Sequence, residues 1–176
     1  MTSRGAVLLA ALLAGCATWP PPPHPDAFSF AVLGDTPYNE REERELAAMI
    51  GRINREPLAF VVHVGDFTGE ACSDALYAKR RAQLDSFERP VVYTPGDNEW
   101  TDCRRDYMGS FDPLERLARL RQVFFTEPRS LGATTMPTAM QSQCSAPPPT
   151  GCSCAYPENR AWEHGGVAFV TLNVSG

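Results

Sequence analysis

The sequence contains no apolar run long enough to span a bilayer: its most hydrophobic stretch, residues 6–14, falls short of the roughly twenty residues that a crossing helix needs. A transmembrane anchor is therefore not expected. Positive charge is also scarce, with 16 lysines and arginines against 21 aspartates and glutamates and a formal net charge of −5. No basic stripe with interleaved aromatics is present, so nucleic acid is not an expected partner. Histidine is rarer still, with three in the chain. His24 lies in a proline-rich stretch and reads as a solvated linker residue. His164 precedes Gly165-Gly166 and reads as an exposed turn residue. His63 alternates into an apolar run and reads as a core histidine, or as one standing behind a metal ligand. What is plentiful is apolar surface and proline: 43% hydrophobic residues and 16 prolines describe a globular, loop-rich protein. From about residue 28 onward there is one small domain's worth of chain.

The first residues read as a targeting segment rather than as part of a fold. Arg4 supplies a positive start and residues 6–14 an apolar centre. Leu13-Ala14-Gly15-Cys16 resembles the lipobox of bacterial lipoproteins, which implies a signal peptide over 1–15, cleavage before Cys16 and lipidation of its thiol. Ala17 rather than aspartate follows, which directs the expectation to the outer membrane and periplasm. An ordinary secretory signal with an incidental cysteine is the alternative. Residues 16–27, with four consecutive prolines, form an extended polyproline tether.

Three apolar runs each end in a Gly-Asp pair: Phe30-Ala-Val-Leu-Gly34-Asp35, Phe60-Val-Val-His-Val-Gly65-Asp66 and Val91-Val-Tyr-Thr-Pro-Gly96-Asp97-Asn98-Glu99. The runs are short, β-branched and aromatic, the pattern of strands buried on both faces. Glycine permits a sharp turn at each strand's carboxyl end, where ligands of open α/β sheets bind. Asp35, Asp66 and Asp97 delivered to one edge would raise one another's pKa unless a cation lay among them. The pattern predicts a metal site; three unrelated turn residues are the alternative.

Between the runs the periodicity is helical. Asn39 caps a helix, Glu42 completes a capping box, and Leu46, Met49, Ile50 and Ile53 face the core. Pro57 stops this helix and the second strand starts at Leu58, giving a right-handed βαβ unit with parallel strands. A second helix capped near Ser73 turns Leu76, Leu84 and Phe87 inward. A third starts at Asp112-Pro113-Leu114-Glu115 and buries Leu117, Leu120, Val123 and Phe124. Residues 130–156 lack periodicity and read as an irregular surface excursion rich in cysteine and proline. Residues 166–173 form a fourth strand. The fold class is α/β, a mainly parallel βαβ sheet with helices on the outside.

With these motifs in place the chain resembles the calcineurin-like metallophosphoesterases. The segments Gly34-Asp35-Thr36-Pro37-Tyr38 and Gly96 to Cys103 look like those of an exported bacterial subgroup. In that superfamily Asp-x-His, Gly-Asp and Gly-Asn-His-Glu follow successive strands, and further histidine ligands come from later strands. The likeness covers residues 28–173 and implies a calcineurin-like sandwich, with residues 28–176 expected to be its N-terminal part, a portion inactive by itself. It implies hydrolysis of phosphomonoesters or phosphodiesters by a metal-bridged hydroxide on two divalent ions, Mn, Fe or Zn. Asp35 would bind the first ion, Asp66 would bridge both and Asp97 would bind the second. An anionic substrate would be drawn in by the metal. Asn98 replaces the family's substrate-contacting histidine and is the candidate catalytic residue, able to hydrogen-bond phosphate but not to deliver a proton. Glu99 would orient its loop. Pro37 stands where the first motif has a ligating histidine, and no histidine of this chain fills the later positions.

Five cysteines remain after Cys16. In an oxidising compartment close pairs become disulfides. Cys72 and Cys103 each follow a Gly-Asp motif on loops over the same sheet edge and are expected to pair. Of Cys144, Cys152 and Cys154, one bridge would leave one over; a zinc site there lacks a fourth ligand. Two functional alternatives stand beside the hydrolase: a non-catalytic metal- or ligand-binding lipoprotein on the same scaffold, and a structural envelope lipoprotein whose Gly-Asp pairs are only turns.

Overall fold

In the computed structural model, which describes residues 26–141 and 156–174, each Gly-Asp run forms a three-residue strand: β1 (Ala31–Leu33), β2 (Val61–His63) and β3 (Val91–Tyr93). They pair in parallel in the order β1-β2-β3, with Ala31 opposite Val61 and Val61 opposite Val91. That register sets all three Gly-Asp pairs down at the same edge. The segment 1–25, with Cys16 and His24, lies outside the described residues, as do Cys144, Cys152 and Cys154.

The crossovers are α1 (Glu40–Ile53) and α2 (Asp74–Asp85), and α3 (Pro113–Phe124) follows two 3-10 turns. All three start at the predicted caps. Asn39 accepts the backbone N–H groups of Arg41 and Glu42, Ser73 that of Leu76, and Asp112 that of Glu115. The capping box is displaced by one residue. With Asn39 extended, Glu42 accepts from the Tyr38 N–H at 2.7 Å and from the Asn39 side-chain amide at 2.7 Å. The helix ends at Ile53, ahead of Pro57, and the ladder of β2 begins at Val61 rather than at Leu58.

Alternation along the strands divides the core in two. Leu33, Val61, Val91 and Tyr93 pack with Leu46, Ile50, Tyr77, Leu84, Leu120 and Phe124 of the helices. Phe60, Val62 and Val92 point the other way and meet Trp162, with Phe28 and Phe169 beside them. Each large apolar side chain so buried contributes about 1.5–3 kcal/mol. The second layer is an antiparallel sheet of β4 (Ala139–Gln141), β5 (Tyr156–His164) and β6 (Val167–Thr171), in the order β4-β5-β6. The protein is thus mixed α/β, with helices on one face of a parallel sheet and a second sheet on the other. Among the described residues no helix is long and apolar enough to cross a membrane.

Three expectations are corrected. The described parts of the 130–156 excursion are partly ordered into sheet: Leu131 exchanges backbone hydrogen bonds with Val91, Arg129 bridges Pro137, and β4 pairs with β5. His164 is not a turn residue in solvent but the last residue of β5, its ring 4.6 Å from that of Phe28. And β1 is not buried on both faces, since Val32 is 60% exposed. Being the edge strand, it is covered on this side only near Phe30, whose ring meets Phe169 at 5.5 Å.

Candidate functional site

The three Gly-Asp loops pack on one another through their glycines. A Cβ on Gly34 would lie 2.4 Å from Val64 Cγ2, one on Gly65 2.0 Å from the Gly96 nitrogen, and one on Gly96 2.1 Å from Asp66 Oδ1. Only a residue without a side chain permits such approach. The Asp35 N–H donates to the Gly65 carbonyl at 3.0 Å, extending the contact to the first loop. Asp35 and Asp66 share a left-handed backbone, φ 53° and 55°, a conformation that costs an L-residue about 1–2 kcal/mol. Strain of this kind concentrates at functional sites.

Asp66 is the centre of the cluster. Its Oδ1 accepts the Asn98 N–H at 3.1 Å, and a Cβ on Gly96, the residue before Asp97, would lie 2.1 Å from the same oxygen. Burial raises its pKa above the ordinary carboxylate value, the Asn98 N–H opposes this, and the charges of Asp97 and Asp35 raise it further. Asp97 fixes the turn beyond it, its carbonyl accepting from the Asp102 N–H and the Thr101 hydroxyl, each at 3.0 Å. Asp35 stands at the exposed rim and accepts the Tyr38 hydroxyl at 3.2 Å.

Beneath these groups Glu99 is fully buried. Its two oxygens accept the N–H of Phe67 at 3.1 Å and of Gly96 at 2.9 Å, clasping the second loop to the third. Burial, then the charge of Asp66, lifts its pKa to about 7 against the pull of the Phe67 N–H and neighbouring backbone donors. His63 is also buried, its Nδ1 accepting the Gly65 N–H at 3.1 Å. Burial pushes its pKa down to about 4; a bond with the Thr36 backbone opposes this and the Arg80 charge adds to it. The side-chain amide of Asn98 donates to the Thr68 carbonyl at 3.2 Å and to the Tyr38 hydroxyl at 3.4 Å.

Cys72 and Cys103 form the expected disulfide, their Cα atoms 5.7 Å apart. It ties the start of α2 to the turn after the third motif, and its sulfurs lie 3.4 and 3.6 Å from the Asn98 carbonyl. Two further residues shape the site without having been singled out from the sequence. Arg80, buried in α2, donates through Nε to the Phe67 carbonyl at 2.7 Å and through its guanidinium to the Pro37 carbonyl at 3.4 Å, and pairs with Glu43 at 2.5 Å. It braces the first two loops from below. Its signal was present: Leu76, Arg80 and Leu84 are four residues apart on one helical face, so an arginine interrupts a core stripe. Tyr38 is the other, and only its place after Pro37 marked it.

Among the described residues no group of three or more histidine, cysteine, aspartate and glutamate side chains is arranged to hold a metal ion. The carboxylates interact, but not as a closed ligand set. No family model, curated protein or solved structure matches the chain.

Proposed function

We propose that the protein is a metal-dependent hydrolase of phosphomonoesters or phosphodiesters, built on part of a calcineurin-like sandwich, with two divalent ions, Mn, Fe or Zn, held by Asp35, Asp66 and Asp97. The observation that carries this reading is the packing of the three Gly-Asp loops, which gathers Asp35, Asp66 and Asp97 at one sheet edge, close enough for the charges of Asp97 and Asp35 to raise the pKa of Asp66. Carboxylates brought this close repel one another unless a cation lies among them, and oxygen donors of this kind are ones that a divalent cation accepts. Bound ions would lower the pKa of a coordinated water and draw charge from phosphoryl oxygens. The chain's own residues supply the frame. Glu99 and the Cys72–Cys103 disulfide fix the third loop against the second. The Asn98 amide would reach a phosphoryl oxygen by giving up its bond to Thr68 or Tyr38, and would supply a hydrogen bond but no proton.

The test is hydrolysis of a chromogenic phosphoester by the full-length protein with added Mn2+, alongside Asp66→Asn. Metal-dependent turnover, with both turnover and bound metal lost in the variant, supports the reading. No turnover and an unchanged metal content in the variant would overturn it. A second reading, metal binding without catalysis, is favoured by the engagement of the Asn98 amide with Thr68 and Tyr38. Tight Mn2+ binding with no activity on any phosphoester would select it. We place the protein on the bacterial envelope through a lipid on Cys16. Loss of detergent-phase partitioning in Cys16→Ser checks that placement, and unchanged partitioning refutes it.

A further inference from the structure

The Pro37 ring carries neither donor nor acceptor, but the residue after it carries a hydroxyl, and that hydroxyl touches two groups of the candidate site. Tyr38 OH donates to Asp35 Oδ1 at 3.2 Å and accepts from Asn98 Nδ2 at 3.4 Å. The rest of the residue is fixed independently of that oxygen. Its backbone N–H is held by Glu42 at 2.7 Å. Its ring and carbonyl lie so close to Gly69 that a Cβ there would come within 3.2 Å of Cδ1 and 3.1 Å of the oxygen. One side chain therefore spans all three loops: it is rooted at the start of α1 beyond Asp35, it lies against the loop that follows Asp66, and it reaches Asn98 beside Asp97.

We infer that Tyr38 is a positioning residue of the proposed metal centre, its hydroxyl holding the Asp35 carboxylate and the Asn98 amide in one fixed relation. Cation affinity at Asp35 and the orientation of the Asn98 amide then depend on the same oxygen. The physical reason lies in the carboxylate. An aspartate at an exposed strand end rotates about its terminal torsion, which is broad and roughly two-fold. Donation to Oδ1 removes that freedom before a cation arrives and leaves Oδ2 free to coordinate. The same oxygen takes one hydrogen of the Asn98 amide, and the other goes to the Thr68 carbonyl, so the amide is held from two sides. Partners that orient a ligand in this way affect metal affinity by 10- to 100-fold when removed. The inference rests on the metal reading above, and its test separates the two.

The experiment is calorimetric titration of Mn2+ into the full chain as wild type, Tyr38→Phe, Asp35→Asn and the double variant, with Asp66→Asn as a control. Phenylalanine keeps the ring on Gly69 and removes only the oxygen, so the thermal midpoint of Tyr38→Phe should match wild type. Its Mn2+ affinity should be about tenfold weaker. In the Asp35→Asn background Tyr38→Phe should add no further loss, because Tyr38 acts through Asp35. Equal affinity of Tyr38→Phe and wild type would overturn the inference alone. An equal loss with and without the Asp35 carboxylate would overturn it too, by showing a general effect on the loops. A wild type that takes up no Mn2+ would overturn the metal reading and this inference with it.

Discussion

Gly65 and Gly166 both have a left-handed backbone, φ +87° and +75°, and differ in what a side chain would meet there. Around Gly166 nothing lies within 4 Å, whereas a Cβ on Gly65 would overlap the Gly96 nitrogen. Gly166→Ala should therefore cost only the backbone strain, about 1 kcal/mol. Gly65→Ala carries the strain and a clash between two main chains that no rotamer change relieves, and should cost on the order of 3 kcal/mol or more. Urea denaturation of both variants measures the difference, and equal losses would mean that the loops separate more easily than their contacts indicate. The two also differ in consequence. Gly166 closes the β5–β6 hairpin, while Gly65 keeps Asp66 next to Asp97, so Gly65→Ala should also weaken Mn2+ binding.

At the scale of elements, the Cys72–Cys103 bridge closes a loop with a sequence separation of 31 and so constrains the whole of α2 and β3. Loop-closure entropy for that length corresponds to about 3–4 kcal/mol. The double variant Cys72→Ser/Cys103→Ser should lose about that much stability, and wild type unfolded in excess dithiol should show the same midpoint as the double variant. A reduced wild type as stable as the oxidised one would show that the fold carries the loop without the bond. This bridge was legible in the sequence because two motifs of known spacing put both cysteines over one sheet edge. The helices were legible for the same kind of reason: Asn39, Ser73 and Asp112 are capping residues and the apolar stripes behind them have helical period. Of the antiparallel sheet only β6 was legible, as the run 166–173, and its antiparallel pairing with β5 was not. The inward positions of β5 are Glu158, Arg160 and Trp162, so its alternation does not read as hydrophobic. Its buried charges are matched by partners far away in sequence: Arg121 pairs with Glu158, and Arg160 donates to Thr138 and to the Glu127 carbonyl. No local pattern announces those partners. The same holds at the site, where the Gly-Asp pairs announced Asp35, Asp66 and Asp97 but Arg80 and Tyr38 act through tertiary contacts.

For the whole molecule, the buried pair of titratable groups below the carboxylates sets opposing responses to pH. His63 is neutral in the fold with its pKa held near 4, whereas the unfolded chain takes up that proton near 6.5. As pH falls through 6.5 the unfolded state therefore gains a proton that the native state refuses, and stability drops by about 3 kcal/mol by pH 4. Glu99 behaves in the reverse sense. Its folded pKa of about 7 exceeds the ordinary value near 4.5, so the native state takes up the proton first and acidification from 7 to 4.5 adds stability of similar size, about 3 kcal/mol. Asp66, whose pKa is also raised, acts in the direction of Glu99. Between pH 4.5 and 6.5 the two buried groups thus largely cancel in the wild type. Removing either should expose the other. Glu99→Gln should be more sensitive to acid than wild type over this window, and His63→Gln should become more stable, relative to wild type, as pH falls. Urea midpoints at pH 4.5, 5.5 and 6.5 give the three slopes. If both variants keep the wild-type slope, neither group is buried in the charge state described, and the clasp between the second and third loops must be held by something other than the Glu99 carboxyl.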